Sequence, residues 1–193
     1  MPWETKFNIE ETLEKALKVF WEYGYNATSM RDLTKYMGIN SGSIYSTFGN
    51  KRKLFLSTLQ HYNKVSATRL QQYEQLPFPK QAVIRFFEDI KKMVLDGSDQ
   101  CGCFIVNTAL EMAPHDTEMN DLVSIGQNNM RSFFKRRIKK GQENNEISMN
   151  LNAQDTSELL LSLLIGLRVL TRNKPAKKQF NIVIKNVELI LNS

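Results

Sequence analysis

The 193-residue sequence has little with which to staple a fold, span a membrane or run a reaction. It contains two cysteines, Cys101 and Cys103, separated only by Gly102. Residues that close cannot cross-link distant segments, so a reducing compartment is expected. Long apolar runs are missing. The best, Leu159 to Leu170, falls short of the roughly 20 residues of a spanning helix and contains Arg168. The opening MPWETKFNIEE carries acidic residues and no apolar stretch, unlike a signal peptide, so the expected location is cytoplasmic. Histidine occurs twice, at His61 and His115. Cys101, Cys103 and His115 lack the spacing of a zinc motif, and no metal or other cofactor is expected. There is no glycine-rich phosphate loop, no G-x-S-x-G, no H-E-x-x-H and no C-x-x-C pair, so nothing recommends an enzyme. No strand pattern or internal repeat stands out.

What is there is helical periodicity almost throughout. Ile9, Leu13, Ala16, Leu17 and Phe20 recur every 3.6 residues behind Asn8, a candidate N-cap, and Gly24 ends that helix. A second, shorter helix opens at Ser29, with Asp32 at capping-box spacing, and stops at Gly38. A third runs from Asn40 to about Phe48. Asn50 then caps a long fourth helix from Lys51 to about Gln75. Leu76-Pro77-Phe78-Pro79 is the clearest break in the chain. Beyond it, Val83, Phe86, Phe87, Ile90 and Val94 mark an amphipathic helix, and Gly97 to Gly102 a connector. Phe104 to Met112 reads as a short helix stopped before Pro114, and Met119 to about Lys140 as a long one stopped by Gly141.

The last two helices differ in kind. The segments Leu159 to Leu170 and Phe180 to Leu191, the latter after a helix start at Pro175, are apolar nearly all round. A helix of that type is buried on more than one side. A chain of this size covers one side itself, which leaves a subunit interface for the other. The fold class expected is therefore all-α with about nine helices. It divides into a helix-turn-helix domain over 1–50, a connecting helix over 51–75, and a larger domain over 76–193 that forms a homodimer through residues 155–192.

Net charge is +6, which suits a polyanionic partner. The excess is split evenly between residues 1–75 and 76–193, so bulk charge does not say which half meets nucleic acid. Local arrangement does. Between Thr28 and Phe55, two short helices are joined across Gly38-Ile39-Asn40, the spacing of a helix-turn-helix. Met30, Leu33, Met37, Ile39 and Ile44 are placed to form the core between them. The second helix then displays Ser41, Gly42, Ser43, Tyr45, Ser46 and Thr47, short or hydroxylated side chains that can approach base edges or donate to phosphates. Lys51, Arg52 and Lys53 follow Asn50 at a helix N-terminus, where backbone N–H groups already favour phosphate.

Residues 10–55, about a quarter of the chain, resemble the DNA-binding domain of the TetR family of transcriptional repressors. The matching elements are Phe20-Trp21-Glu22-Tyr23-Gly24-Tyr25, Thr28-Ser29, Gly38-Ile39-Asn40-Ser41-Gly42-Ser43-Ile44-Tyr45, and Phe48 with Lys51 and Leu54. The resemblance implies that Ser29 and Arg31 lie at the DNA backbone, and that Ser41, Gly42 and Ser43 face the major groove. It also implies that Tyr45 meets a phosphate and that Lys51 anchors the fourth helix to the backbone; Asn40, Ser46 and Thr47 complete the expected surface. Thr34, Met37 and Arg52 depart from the family pattern, where small residues and an acidic one are usual.

For the larger half, the resemblance implies a dimeric four-helix bundle and an inducer pocket, with double-stranded palindromic operator DNA and a small-molecule inducer as partners. Phe86, Phe87, Ile90, Phe104, Asn107, Glu111, Met130 and Phe134 are the candidate lining. Asn107 and Glu111, four residues apart on an apolar helix, are its polar determinants. Gly102-Cys103-Phe104 is similar to a segment of family members that sense electrophiles and oxidants. A thiol at a helix start would be a better nucleophile, whereas a small buried residue is the plainer reading of Cys103. The basic run Arg131, Lys135, Arg136, Arg137, Lys139 and Lys140 is expected to be solvated and to complement the helix dipole. Two rival classes remain open: a helical protein-interaction module that ignores DNA, and an enzyme.

Overall fold

In the computed structural model, which describes residues 8–98, 101–172 and 177–193, the local signals fold as written. The helices are α1 (Ile9–Tyr23), α2 (Met30–Met37), α3 (Ser41–Phe48), α4 (Lys51–Glu74), α5 (Pro79–Leu95), α6 (Phe104–Glu111), α7 (Thr117–Glu143), α8 (Ala153–Thr171) and α9 (Lys177–Asn192). A 3-10 turn at Ala113–His115 joins α6 to α7. Among the described residues there is no strand. Nor is any helix there long and apolar enough to cross a membrane.

Asparagine and aspartate caps set the starts. Asn8 Oδ1 accepts from the Glu10 and Glu11 amides, Asn40 Oδ1 from Ser43 at 2.8 Å, Asn50 Oδ1 from Lys53 at 2.9 Å, and Asp116 Oδ1 from Met119 at 3.1 Å. Each cap satisfies an otherwise orphaned N–H and is worth about 1 kcal/mol. Ser29 and Asp32 form a reciprocal capping box at the head of α2. Gly38 ends α2 at φ 67°, the left-handed conformation that lets the chain turn at once into α3.

Two apolar clusters share the long helices α4 and α7. The first gathers Leu13, Leu17 and Phe20 of α1, Leu33 and Met37 of α2, Ile44 of α3 and Leu54, Phe55 and Leu59 of α4. Phe104 and Ile105 of α6 and Met119 and Val123 of α7 belong to the same cluster. The second joins the far ends of α4 and α7 to α5, α8 and α9, around Phe86, Phe87, Phe133 and Phe134, whose ring centroids stand 5.3–5.8 Å apart. Apolar burial thus runs without a break from the helix-turn-helix into α6 and α7.

Two expectations are corrected. Helix α7 does not stop at Gly141 but continues to Glu143. Gly141 is there to be packed on: a Cβ at that position would stand 2.6 Å from Ile147 Cδ1, and the reversal is made by Asn145, at φ 57°. The basic run on α7 is largely paired rather than merely solvated. Arg136 Nε donates to Glu74 Oε1 at 2.9 Å, Arg137 to the Glu74 carbonyl at 2.8 Å, and Arg131 meets Glu158 at 2.6 Å. These partners lie on α4 and α8, out of view of any local reading. The expected helix start at Pro175 lies outside the described residues.

Helices α8 and α9 bury one side and leave the other bare. Leu159, Val169 and Leu170 on α8 and Ile182 and Leu189 on α9 are 40–56% exposed. On α8 they fall at helical spacing around Gly166, where a Cβ would find nothing within 4 Å.

Candidate nucleic-acid interface and cavity

Helix α3 is seated by Ile44, which is fully buried, and by the Asn40 cap. That pins the opposite side outward. Asn40, Ser41, Gly42, Tyr45 and Ser46 are exposed, with Ser43 and Thr47 half-buried beside them. Ser46 Oγ donates to the Ser43 carbonyl at 3.0 Å, which leaves its lone pairs outward. Ser29 and Arg31 are exposed at the start of α2. The exposed side of α3 thus carries short donors and acceptors and no carboxylate. Lys51 sits differently. Its Nζ lies 4.3 Å from the centre of the Tyr25 ring, a cation–π contact, and burial lowers its pKa against the opposing pull of Glu111.

Two polar links tie this unit to α6 and α7. The Glu111 carboxylate accepts from the backbone N–H of Tyr25 at 3.0 Å and of Asn26 at 2.7 Å. Arg52 grips Asp116 with two bonds, at 2.7 and 2.9 Å, and Glu118 with a third at 3.0 Å. The Arg52 guanidinium holds the Asp116 carboxyl below the usual aspartate range. The departure at Arg52 thus has a structural reason: it clamps α4 to the head of α7.

Between α1, α4, α5, α7 and α8 lies a cavity of about 240 Å³. Of the lining expected from sequence, Phe86, Ile90 and Met130 face it, and so does Cys103. The others do not. Phe87 and Phe134 pack in the solid core behind, and Phe104 fills the first apolar cluster against Phe55 and Trp21. Asn107 donates to the Cys101 carbonyl at 2.9 Å, and Glu111 holds the α1–α2 turn. Asn107 and Glu111 instead line a separate recess with Tyr23, Val169 and Arg172. A helix face records burial and does not say which cavity, if any, a side chain lines, which is why these assignments are corrected.

Sequence reasoning missed the rest of the wall, which includes Glu14, Leu17 and Trp21 from α1, Tyr62, Ser66, Arg69 and Tyr73 from α4, Met93 from α5, and Leu164 and Arg168 from α8. The one available signal was Arg168, a charge inside an apolar helix, which burial makes costly unless it is engaged. It is 6% exposed and donates to the Gly102 carbonyl. Cys103 caps α6 with no side-chain hydrogen bond to the helix, and its Sγ lies 3.8 Å from Tyr62 Oη. Burial raises the Tyr62 phenol pKa. Cys101 and Cys103 are not cross-linked. Among the described residues no three His, Cys, Asp or Glu side chains cluster as metal ligands.

Comparison with known proteins agrees with this layout. Residues 13–58 match the model of bacterial regulatory proteins of the tetR family, and residues 79–181 that of the tetracyclin repressor-like C-terminal domain. The chain is 31% identical over 152 residues to the uncharacterized HTH-type transcriptional regulator YezE of Bacillus subtilis (strain 168), covering 78% of this chain and 76% of that protein. It is 26% identical over 172 residues to the HTH-type transcriptional repressor ComR of Escherichia coli (strain K12), covering 86% and 80%. Its fold superposes with a TM-score of 0.80, at 23% identity, on a cysteine mutant of the TetR family transcriptional regulator CifR complexed with 26bp double-strand operator DNA, covering 95% of this chain and 97% of that one.

Proposed function

This chain belongs to the TetR family of DNA-binding transcriptional regulators, and on that premise we propose that it is a homodimeric repressor, not an enzyme, acting in the cytoplasm. Two α3 helices read a palindromic operator, and a small molecule in the cavity releases them. The observation that carries this reading is the outward face of α3, held by Ile44 and the Asn40 cap beside a wall that α1 shares with the cavity. Ser41, Gly42 and Ser43 enter the major groove. Tyr45, Ser46 and Thr47, with Ser29, Arg31 and Asn40, meet the backbone or the groove edge. Lys51 adds charge from behind Tyr25. The bare stripes of α8 and α9 join two copies and hold the reading helices about 34 Å apart, one turn of duplex.

The test starts from duplexes selected out of a random pool by the purified protein. Affinity for the selected palindrome should fall steeply with salt, since several phosphates are neutralised. Tyr45→Phe should weaken binding to all duplexes, while Ser43 substitutions should change which duplexes are selected. A protein that selects no sequence, or whose Tyr45 and Ser43 variants select and bind as wild type, is not using this face. A helical protein-interaction module gives no reason for the salt slope.

A second signal is favoured by one observation, the placement of the Cys103 thiol on the cavity wall at the head of α6. Alkylation there would put new bulk into the cavity and push on α6. Cys103→Ser should keep operator binding and lose release by N-ethylmaleimide. An unchanged response removes Cys103 from the mechanism.

A further inference from the structure

The cavity wall is chemically lopsided, and this bears on what fills it; the inference rests on the cavity being the effector site. Size comes first. A dry cavity of roughly 150 Å³ accepts benzene, so about 240 Å³ holds one aromatic ring and a substituent of a few atoms. Trp21, Tyr62, Tyr73 and Phe86 supply flat aromatic walls, and Ile90, Leu164 and Met130 close the rest. Trp21 stands edge-on to Tyr62, with centroids 5.3 Å apart, the arrangement into which a further ring packs.

The polar groups of the wall are mostly donors. Trp21 Nε1 is buried and has no acceptor among the described residues. The Tyr62 hydroxyl keeps its proton, since burial disfavours the phenolate. Arg168 brings a permanent positive charge deep into the wall, anchored on the Gly102 carbonyl, while a second guanidinium, Arg69, lines the cavity from an exposed position against Met93. The one carboxylate in the wall, Glu14, is half exposed and engaged by His61 Nε2 at 2.6 Å. A desolvated guanidinium in a concave apolar site matches an anionic, planar acceptor better than any neutral group.

We propose that the cavity binds a single-ring aromatic carboxylate, with its carboxylate toward Arg168 and its ring against Trp21, Tyr62 and Phe86. Trp21 stands on α1, so the ligand touches the DNA-binding unit directly. No transmission through the rest of the fold is needed.

The test uses the full chain and three probes in calorimetric titration: benzoate, its neutral near-isostere benzamide, and acetate, which has the charge without the ring. Benzoate should bind saturably, benzamide at least about tenfold more weakly, the loss of one charge-assisted hydrogen bond, and acetate not at all. Trp21→Phe should weaken benzoate and benzamide together. Arg168→Met should erase the preference for benzoate without lowering benzamide affinity. Should Arg168→Met fail to fold by circular dichroism, Arg168→Lys, which keeps the charge, should retain the preference, and the wild-type ratio of benzoate to benzamide decides alone. Equal binding of benzoate and benzamide, no binding of either, acetate matching benzoate, or a folded Arg168→Met that binds benzoate as wild type each overturn the proposal. Duplex selection on the same preparation separates the two readings. A protein that selects a palindrome but does not prefer benzoate fails only the ligand class, and one that prefers benzoate but selects no DNA fails only the regulator reading.

Discussion

Replacing Glu111 by alanine should loosen the joint between α6 and the helix-turn-helix by an amount the structure allows us to work out. The carboxylate ends α6 and accepts from two successive backbone amides, those of Tyr25 and Asn26, at 3.0 and 2.7 Å. Gly24 makes the approach possible: at φ 83° a Cβ there would stand 2.8 Å from Glu111 Oε2. A hydrogen bond to a charged group is worth about 1.5–3 kcal/mol net. The Asn26 amide is exposed, and water replaces its partner at little cost; the Tyr25 amide is partly buried and bears the loss. The expected destabilisation is therefore that of one such bond. For a chain of this size each kcal/mol moves the melting temperature by roughly 2–4 °C, so Glu111→Ala should melt about 3–12 °C below wild type. Glu111→Gln keeps one acceptor and should lose less. Calorimetry reads the melting temperature, and hydrogen exchange should show the Tyr25 and Asn26 amides opening faster in the alanine variant while the α9 amides do not change. A melting temperature within about 1 °C of wild type, with unchanged exchange at both amides, would refute the reasoning.

Three further expectations can be checked independently. Gly126→Ala should cost about 1–2 kcal/mol in denaturant unfolding, because the new methyl overlaps Ile105 Cδ1 and stands 2.6 Å from Asn63 Oδ1, which outweighs the helix propensity gained. Gly166→Arg should leave helicity intact yet give monomers by analytical ultracentrifugation, since that position is open within one chain and central to the bare stripe; a dimer of wild-type affinity would place the interface elsewhere. The Asp116 pKa is lowered in the fold, first by its bonds to Arg52. Its stabilising share is therefore full above the ordinary value of 3.8 and disappears as pH falls through the lowered one. Asp116→Asn should flatten that acid limb of stability against pH, and an unaltered limb would mean that the clamp contributes nothing.

The helix-turn-helix was legible because its signals are local. A cap and its amide lie three residues apart, a glycine allows the turn where φ must be positive, and Leu33 and Met37 repeat at the helical period. The unpartnered face of α8 was legible for a related reason: a helix apolar on both sides cannot be covered by one chain. Glu111 shows where such reading stops. Its spacing from Asn107 placed both on one helix face, and the face was real, but Glu111 bonds the α1–α2 turn and Asn107 the Cys101 carbonyl, and neither lines the cavity beside Cys103.

What the amino-acid order determined on its own was the set of helices, most of their ends, the class of fold and the chemistry displayed by α3, since each depends on neighbours within about one turn. The cavity was decided by tertiary structure alone. Its wall draws Trp21, Tyr62, Phe86, Cys103 and Arg168 from five segments, and whether side chains close over a space or leave it open depends on how whole helices pack. The clamps at Glu111 and Arg52 belong with it, because ion pairs and hydrogen bonds reach across the 86 and 64 residues that separate their partners only after the chain has brought them together.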